Sequence, residues 1–148
     1  MIKVKDINFE ELKIAIKNVF IDDKKILDFY DPSVKIKNIE DIINDISCKI
    51  KDYDKYEGDY GYVGLFYEKV LIGYYFYKED MLVSFGINVK YRTKKYLDFL
   101  FNSIMNKLGN NFVCFLWLKN TRAAKWLIKN KMVIEFKNDK IIKLKLCQ

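Results

Sequence analysis

The chain holds no histidine, so Ser–His and Cys–His catalytic pairs and imidazole metal sites are excluded from the outset. Cys48, Cys114 and Cys147 are scattered, odd in number and without a CxxC pair, which argues against a zinc site or a disulfide framework. Glu79 and Asp80 are adjacent carboxylates that could serve as a general base, although a charged turn accounts for them more simply. Cys114 could donate a proton, but a small buried hydrophobe in a strand is the simpler reading. Trp117 and Trp126 could line a substrate pocket; tryptophans are more often core or interface residues.

The formal net charge is +7, and only Arg92 and Arg122 are arginines among 27 basic residues. Such a balance could draw an anion, a nucleic acid or an acidic partner. The lysines run along the whole chain without a dense block, so a solvated surface explains them best. Nucleic acid is not an expected partner, because neither the basic residues nor the tyrosines cluster and no recognition motif is present. With 51% hydrophobic residues in 148, a real core is expected rather than disorder. No apolar run approaches the ~20 residues that span a bilayer. The start, MIKVKDINFEELK, lacks a signal-peptide pattern. The reading is a soluble, cytoplasmic protein of one domain, residues 1–148, with no membrane partner and no metal.

Periodicity places the elements. Met1 to Lys5 alternates weakly, as a short strand does. Asn8 with Glu11 three residues on predicts a helix start, and Phe9, Leu12, Ile16, Val19 and Phe20 follow at helical spacing. Tyr30-Asp31-Pro32-Ser33 is a turn. Ile39, Ile42, Ile43, Ile46 and Ile50 form the face of a second helix. Tyr60 to Tyr67, Val70 to Tyr77 and Met81 to Val89 read as an antiparallel meander. The period then changes from two to 3.6: Leu97, Leu100, Phe101, Ile104, Met105 and Leu108 make an apolar stripe that Gly109 ends. Phe112 to Leu118 is nearly all apolar, which predicts a parallel strand buried on both faces. Thr121 to Lys131 is a short helix, and Val133 to Phe136 with Ile141 to Leu146 a final hairpin. The order β-α-α-β-β-β-α-β-α-β-β defines a mixed α/β fold with helices on both faces of a mostly antiparallel sheet.

Three local patterns sit on these elements: Glu68-Lys69-Val70-Leu71-Ile72-Gly73-Tyr74, Ile87-Asn88-Val89-Lys90-Tyr91-Arg92 and Asn120-Thr121-Arg122-Ala123. In this order they resemble the turn-and-strand "dgkivGy", the "V-x-P-x-Y-R" and the "N-x-x-A" of the Gcn5-related N-acetyltransferase (GNAT) family. The resemblance implies that acetyl-CoA lies between two splayed strands, with its pyrophosphate on the loop that opens the helix of Leu97. The cofactor-binding positions it implies are Ile87, Val89, Arg92, Thr93, Lys94, Lys95, Tyr96, Leu97 and Asn120. A backbone N–H near Ile87 would be the oxyanion donor.

The sequence also departs from the family. Lys95 and Leu97 stand where the family's loop has glycines, Leu127 where it has its proton-donating tyrosine, and Lys131-Met132 where it has Gly-Phe. Lys129 matches the family's lysine. The expectation is therefore a GNAT-fold protein with degenerate catalysis, used as a binding or assembly module with protein partners or as a homo-oligomer. Non-enzymatic members and bacteriophage-encoded relatives of the family extend this to a phage structural or accessory protein, associated with the virion. The alternative is an active acetyl-CoA-dependent N-acetyltransferase acting on an amine of a small molecule or protein. A basic nucleic-acid-associated protein comes last.

Overall fold

The computed structural model describes residues 1–31 and 33–146, and in it the strand patterns join into one seven-stranded sheet. Pro32, expected in the turn, and Cys147 lie outside the described residues. Strand β1 (Ile2–Asp6) leads to helix α1 (Phe9–Phe20). At its start the Asn8 side chain accepts from the Glu11 N–H and the Glu11 side chain from the Asn8 N–H, the reciprocal cap that the spacing predicts. A single turn, α2 (Ile26–Phe29), has no counterpart in the sequence pattern. Helix α3 (Ile39–Lys51) follows, capped by Asn38 and extended by a 3₁₀ turn at Asp52–Lys55.

Strands β2 (Tyr60–Tyr67), β3 (Val70–Lys78) and β4 (Met81–Ile87) form the expected meander. Then come α4 (Lys94–Leu108), β5 (Val113–Trp117), α5 (Thr121–Lys129), β6 (Met132–Lys137) and β7 (Ile141–Leu146). The spatial order is β1-β2-β3-β4-β5-β7-β6, and only β4 and β5 run parallel. The expected element order and mixed sheet are thus the observed ones, with α2 added.

Two cores flank the sheet. One packs Leu12, Ile16, Ile42 and Ile50 of α1 and α3 against Tyr74 and Phe76. The other packs Leu100, Ile104 and Leu127 of α4 and α5 against Ile72, Tyr75 and Leu116. Covered on both faces, β3 is buried from Leu71 to Tyr77, which is why it reads as an unbroken apolar and aromatic run. Helix α1 crosses β4 at Gly86, where a Cβ would stand 2.6 Å from Val19 Cγ1. The missing side chain lets the helix come that close.

Two boundaries and the burial of one strand differ from expectation. Strand β4 stops at Ile87, because the Asn88 side chain accepts from the Lys90 N–H and starts a 3₁₀ turn over Val89–Tyr91. Strand β5 is not buried on both faces: Cys114 and Leu116 point into the core, while Phe115 and Trp117 remain 42% and 37% exposed. Both line a cavity instead of packing into the core. Helix α5 ends at Lys129, and Lys131 adopts φ 76°. That left-handed position after a helix is one that glycine ordinarily takes. A side chain there costs about 1 kcal/mol. Lys131→Gly is accordingly expected to raise the stability of the chain by up to that amount, read from the urea midpoint. Unchanged or lower stability would show that Lys131 is not strained.

Candidate functional site

Strands β4 and β5 are paired at Met81 with Val113 and Leu82 with Cys114, and then they part. A bulge starts the separation: Tyr77 pairs with Leu82 and Phe76 with Ser84, leaving Val83 as an extra residue that bends β4. The Asn88 N–H donates to the Ile72 carbonyl at 2.7 Å. Hydrogen-bonded pairs alternate along an antiparallel ladder, so Ser84 and Gly86 turn their backbone groups to β3. Phe85 and Ile87 therefore turn theirs toward β5, to which β4 is not paired beyond Leu82. Between the strands lies a cavity of about 840 Å³. Its walls include Ser84, Phe85 and Ile87 of β4, Phe115 and Trp117 of β5, and Ala123 and Trp126 of α5.

At one side of this cavity three elements meet on a single carboxylate. Asp23, between α1 and α2, is 3% exposed. Arg122 of α5 donates to both its oxygens, Nη1 to Oδ1 at 3.1 Å and Nη2 to Oδ2 at 2.7 Å. Arg92, just past β4, reaches Oδ2 with Nη1 at 2.9 Å and donates from Nε to the Ile87 carbonyl at 2.9 Å. The Arg122 guanidinium also lies 4.7 Å from the Phe29 ring centre. Burial pushes the Asp23 carboxyl up, but the Arg122 hydrogen bonds and the Arg92 charge outweigh it and hold the group below its usual range. Both arginines line the cavity. The end of β4 and the start of α5 are thus tied together through the loop after α1.

Another wall comes from α2 and α3. Asp31 is 5% exposed and accepts from the Ser33 N–H and hydroxyl, while Lys49 stands 3.4 Å from it and 2.9 Å from Asp45. Burial raises the Asp31 carboxyl, and the Ser33 and Lys49 bonds more than reverse this. Tyr30 donates to Asp45, and burial together with that carboxylate drives its phenol far above the ordinary range. Tyr74 and Ser84 share a hydroxyl–hydroxyl bond of 2.8 Å on the sheet beneath.

Of the residues singled out in the sequence, Ile87, Arg92, Leu97 and Asn120 line the cavity. Asn120 also caps α5, its side chain accepting from the Ala123 N–H at 3.3 Å. Val89, Thr93, Lys94, Lys95 and Tyr96 stand outside its wall. Val89 is 38% exposed in the 3₁₀ turn. Thr93 precedes α4 and makes no side-chain cap. Lys94 bridges to Asp98, Lys95 lies over the Tyr96 ring, and Tyr96 packs on Tyr67 and Tyr91. Trp117 and Trp126 both line the cavity.

Glu79 and Asp80 sit at the opposite end of β4, about 20 Å along the strand. There Glu79 accepts from Tyr56 and from the Asp59 N–H, so the pair is a charged turn. Cys114 is fully buried, and burial pushes its thiol up to about 12. Leu127, where the family has its tyrosine, is also fully buried in the core. Asp23 and the α2–α3 residues carried no sequence signal except that Arg122 and Arg92 are the two arginines. Among the described residues no cluster suits a metal ion, and no helix is long and apolar enough to cross a membrane.

No protein-family model and no curated protein matches the sequence. Solved structures do. The N-acetyltransferase PaiA from Thermoplasma acidophilum, in complex with coenzyme A, gives a TM-score of 0.66 at 21% identity over 99% of both chains. The N-acetyltransferase PseH from Campylobacter jejuni, in complex with acetyl-coenzyme A, gives 0.56 at 19% over 100% of this chain and 99% of its own. Mutant forms of the spermidine/spermine N-acetyltransferase SpeG from Vibrio cholerae give 0.59 at 9% over 98% and 92%. The chain therefore has the GNAT fold.

The Asp23 tie makes a testable demand. A carboxyl whose folded pKa lies below its unfolded value of ~3.9 stabilises the fold above that value and loses this as pH falls through the folded one. Asp23→Asn is expected to cost about 1–3 kcal/mol at neutral pH, since it leaves two guanidinium groups facing a neutral amide. It should also flatten the fall in urea midpoint below pH ~4. Parallel pH curves for the two proteins would show that the tie carries no such linkage.

Proposed function

We propose that the chain is an acetyl-CoA-dependent N-acetyltransferase acting on an amine. The observation that carries this reading is the open crevice between β4 and β5, faced by the backbone groups of Phe85 and the N–H of Ile87, whose carbonyl accepts from Arg92. An amide-bearing arm such as pantetheine can pair with those groups as an added strand does. Leu97 and the aromatics shape the wall without filling it, and Lys95 turns outward. The uncapped start of α4, with Thr93, Lys94 and Lys95 exposed, offers backbone N–H groups and two ammonium groups to a diphosphate. Lys95 and Leu97 take the place of glycine in the loop, and no side chain caps the start of α4.

Bound acetyl-CoA would supply an acyl group activated as a thioester. The β4 N–H groups at Phe85 and Ile87 would donate to an oxygen that gains negative charge. Asn120, Ala123 and Trp126 would hold the arm against β5, while Phe29, Phe115 and Trp117 keep water away from it. No acid stands at Leu127. A thiol with a pKa of ~8.5 is a good leaving group near neutral pH and can take its proton from water.

A second reading, a binding or assembly module without turnover, draws on the same Leu127 and on Asp23 and Asp31. Both carboxyls are held low rather than raised toward neutrality, where a general base works best. Calorimetric titration with acetyl-CoA, followed by thiol release with a panel of amines, separates the two. Micromolar binding with amine-dependent thiol release is the expected result. Binding without release would favour the second reading, and no binding at millimolar acetyl-CoA would overturn the first. Ala123→Phe, which fills the crevice from α5, is expected to weaken acetyl-CoA at least tenfold while circular dichroism remains unchanged. Undiminished affinity would place the cofactor elsewhere.

A further inference from the structure

Two arginines converge on one carboxylate, which is more cation than a structural tie requires. Each guanidinium has five N–H donors. Arg92 uses one on the Ile87 carbonyl and one on Asp23, and Arg122 uses two on Asp23. Five less two leaves each with three. Asp23 does not line the cavity; it sits behind the two side chains that do. What the cavity meets is a pair of cations with one excess positive charge, fixed from behind by Asp23 and from the side by Phe29. The arrangement is also self-repelling: Arg122 works against the charge of Arg92. An anion arriving from the cavity would relieve that repulsion and find its donors already oriented.

The α2–α3 wall has the opposite balance. Asp31 and Asp52 line it against Lys49 alone, and Lys49 is shared with Asp45. The cavity lining therefore carries both signs, positive at Arg92 and Arg122 and negative at Asp31 and Asp52. A molecule with an ammonium and an oxyanion matches this pattern, whereas a polycation meets the arginines unfavourably.

We propose that Arg92 and Arg122, held by Asp23, form an oxyanion subsite inside the cavity for a carboxylate or phosphate carried by the acceptor amine. The word acceptor rests on the acetyltransferase reading; the subsite can be tested without it. It is separate from the exposed start of α4, whose Thr93, Lys94 and Lys95 stand outside the cavity wall.

Because the chain has two arginines, its ¹⁵Nε spectrum has two guanidinium resonances to follow. Titration of the wild-type chain with inorganic phosphate is expected to shift both saturably, and to do so again with coenzyme A at saturation. Arg122→Gln should abolish the response of the remaining Arg92 resonance. No saturable shift would overturn the subsite. A shift that coenzyme A eliminates would assign the arginines to the cofactor's diphosphate and overturn the acceptor assignment. If coenzyme A fails to bind while phosphate shifts both resonances, the subsite stands and the acetyltransferase reading falls. Phenylalanine against phenethylamine in the thiol-release assay gives the second readout. At least a tenfold preference in kcat/KM for the carboxylate-bearing amine is expected, lost in Arg122→Gln. A preference for phenethylamine or for spermidine would overturn the proposal.

Discussion

Beyond Leu82 the parallel pairing of β4 with β5 ends, and backbone N–H and C=O groups that a sheet would normally satisfy are left facing a gap. Unpaired backbone groups are costly when dry, so such a gap must stay wet, be filled, or be closed by something with matching donors and acceptors. The bulge at Val83 and the short β5 create the gap. The rest of the chain accommodates it. Glycine at position 86 lets α1 press on β4 from one face, while Phe85 packs with Trp126 of α5 on the other. Phe115 and Trp117 stand on the face of the sheet opposite Cys114 and Leu116 and remain partly exposed there.

A sheet opened in this way needs another tether, and Asp23 supplies it. Hydrogen bonds to Arg92 and Arg122 join the end of β4, the start of α5 and the loop after α1 through one buried group. The choice of arginine fits the geometry. A lysine offers a point charge, whereas a planar guanidinium can take both carboxylate oxygens, as Arg122 does, or bridge a carboxylate and a carbonyl, as Arg92 does. In a chain whose other cations are all lysines, that requirement explains where its two arginines fall.

Much of the fold was legible because it rests on local, periodic rules. The Asn8–Glu11 cap, the stripe from Leu97 to Leu108 and the three-strand meander depend on spacing, and spacing is visible in the sequence. The one-turn α2 was not legible, since four residues carry no period. Strand β5 misled for a related reason. An apolar run signals loss of water on both sides, yet Phe115 and Trp117 line a cavity instead, and an aromatic wall has the same composition as a core. Ile87, Arg92, Leu97 and Asn120, named through the family resemblance, line the cavity. Asp23 was not named, because its role depends on residues 69 and 99 positions away meeting it in space, with nothing local to mark it.

The departures from the family pattern look different once placed in the fold. Lysine at 95 matters to a diphosphate only if its side chain covers the loop backbone, and it lies over Tyr96 instead. Leucine at 127 removes an acid, but it does so in the interior, where the side chain completes the core under α5. Neither change touches the β4 backbone at Phe85 and Ile87. Donors of that kind are supplied by chain geometry and persist through substitution of any side chain that preserves the bulge and the two-residue pairing. A site built mainly on backbone groups can thus diverge widely in sequence while keeping its electrostatics, and motif loss overstates the loss of chemical capacity. Side chains then remain free to set what else the cavity admits, and its wall carries two arginines as well as Asp31 and Asp52.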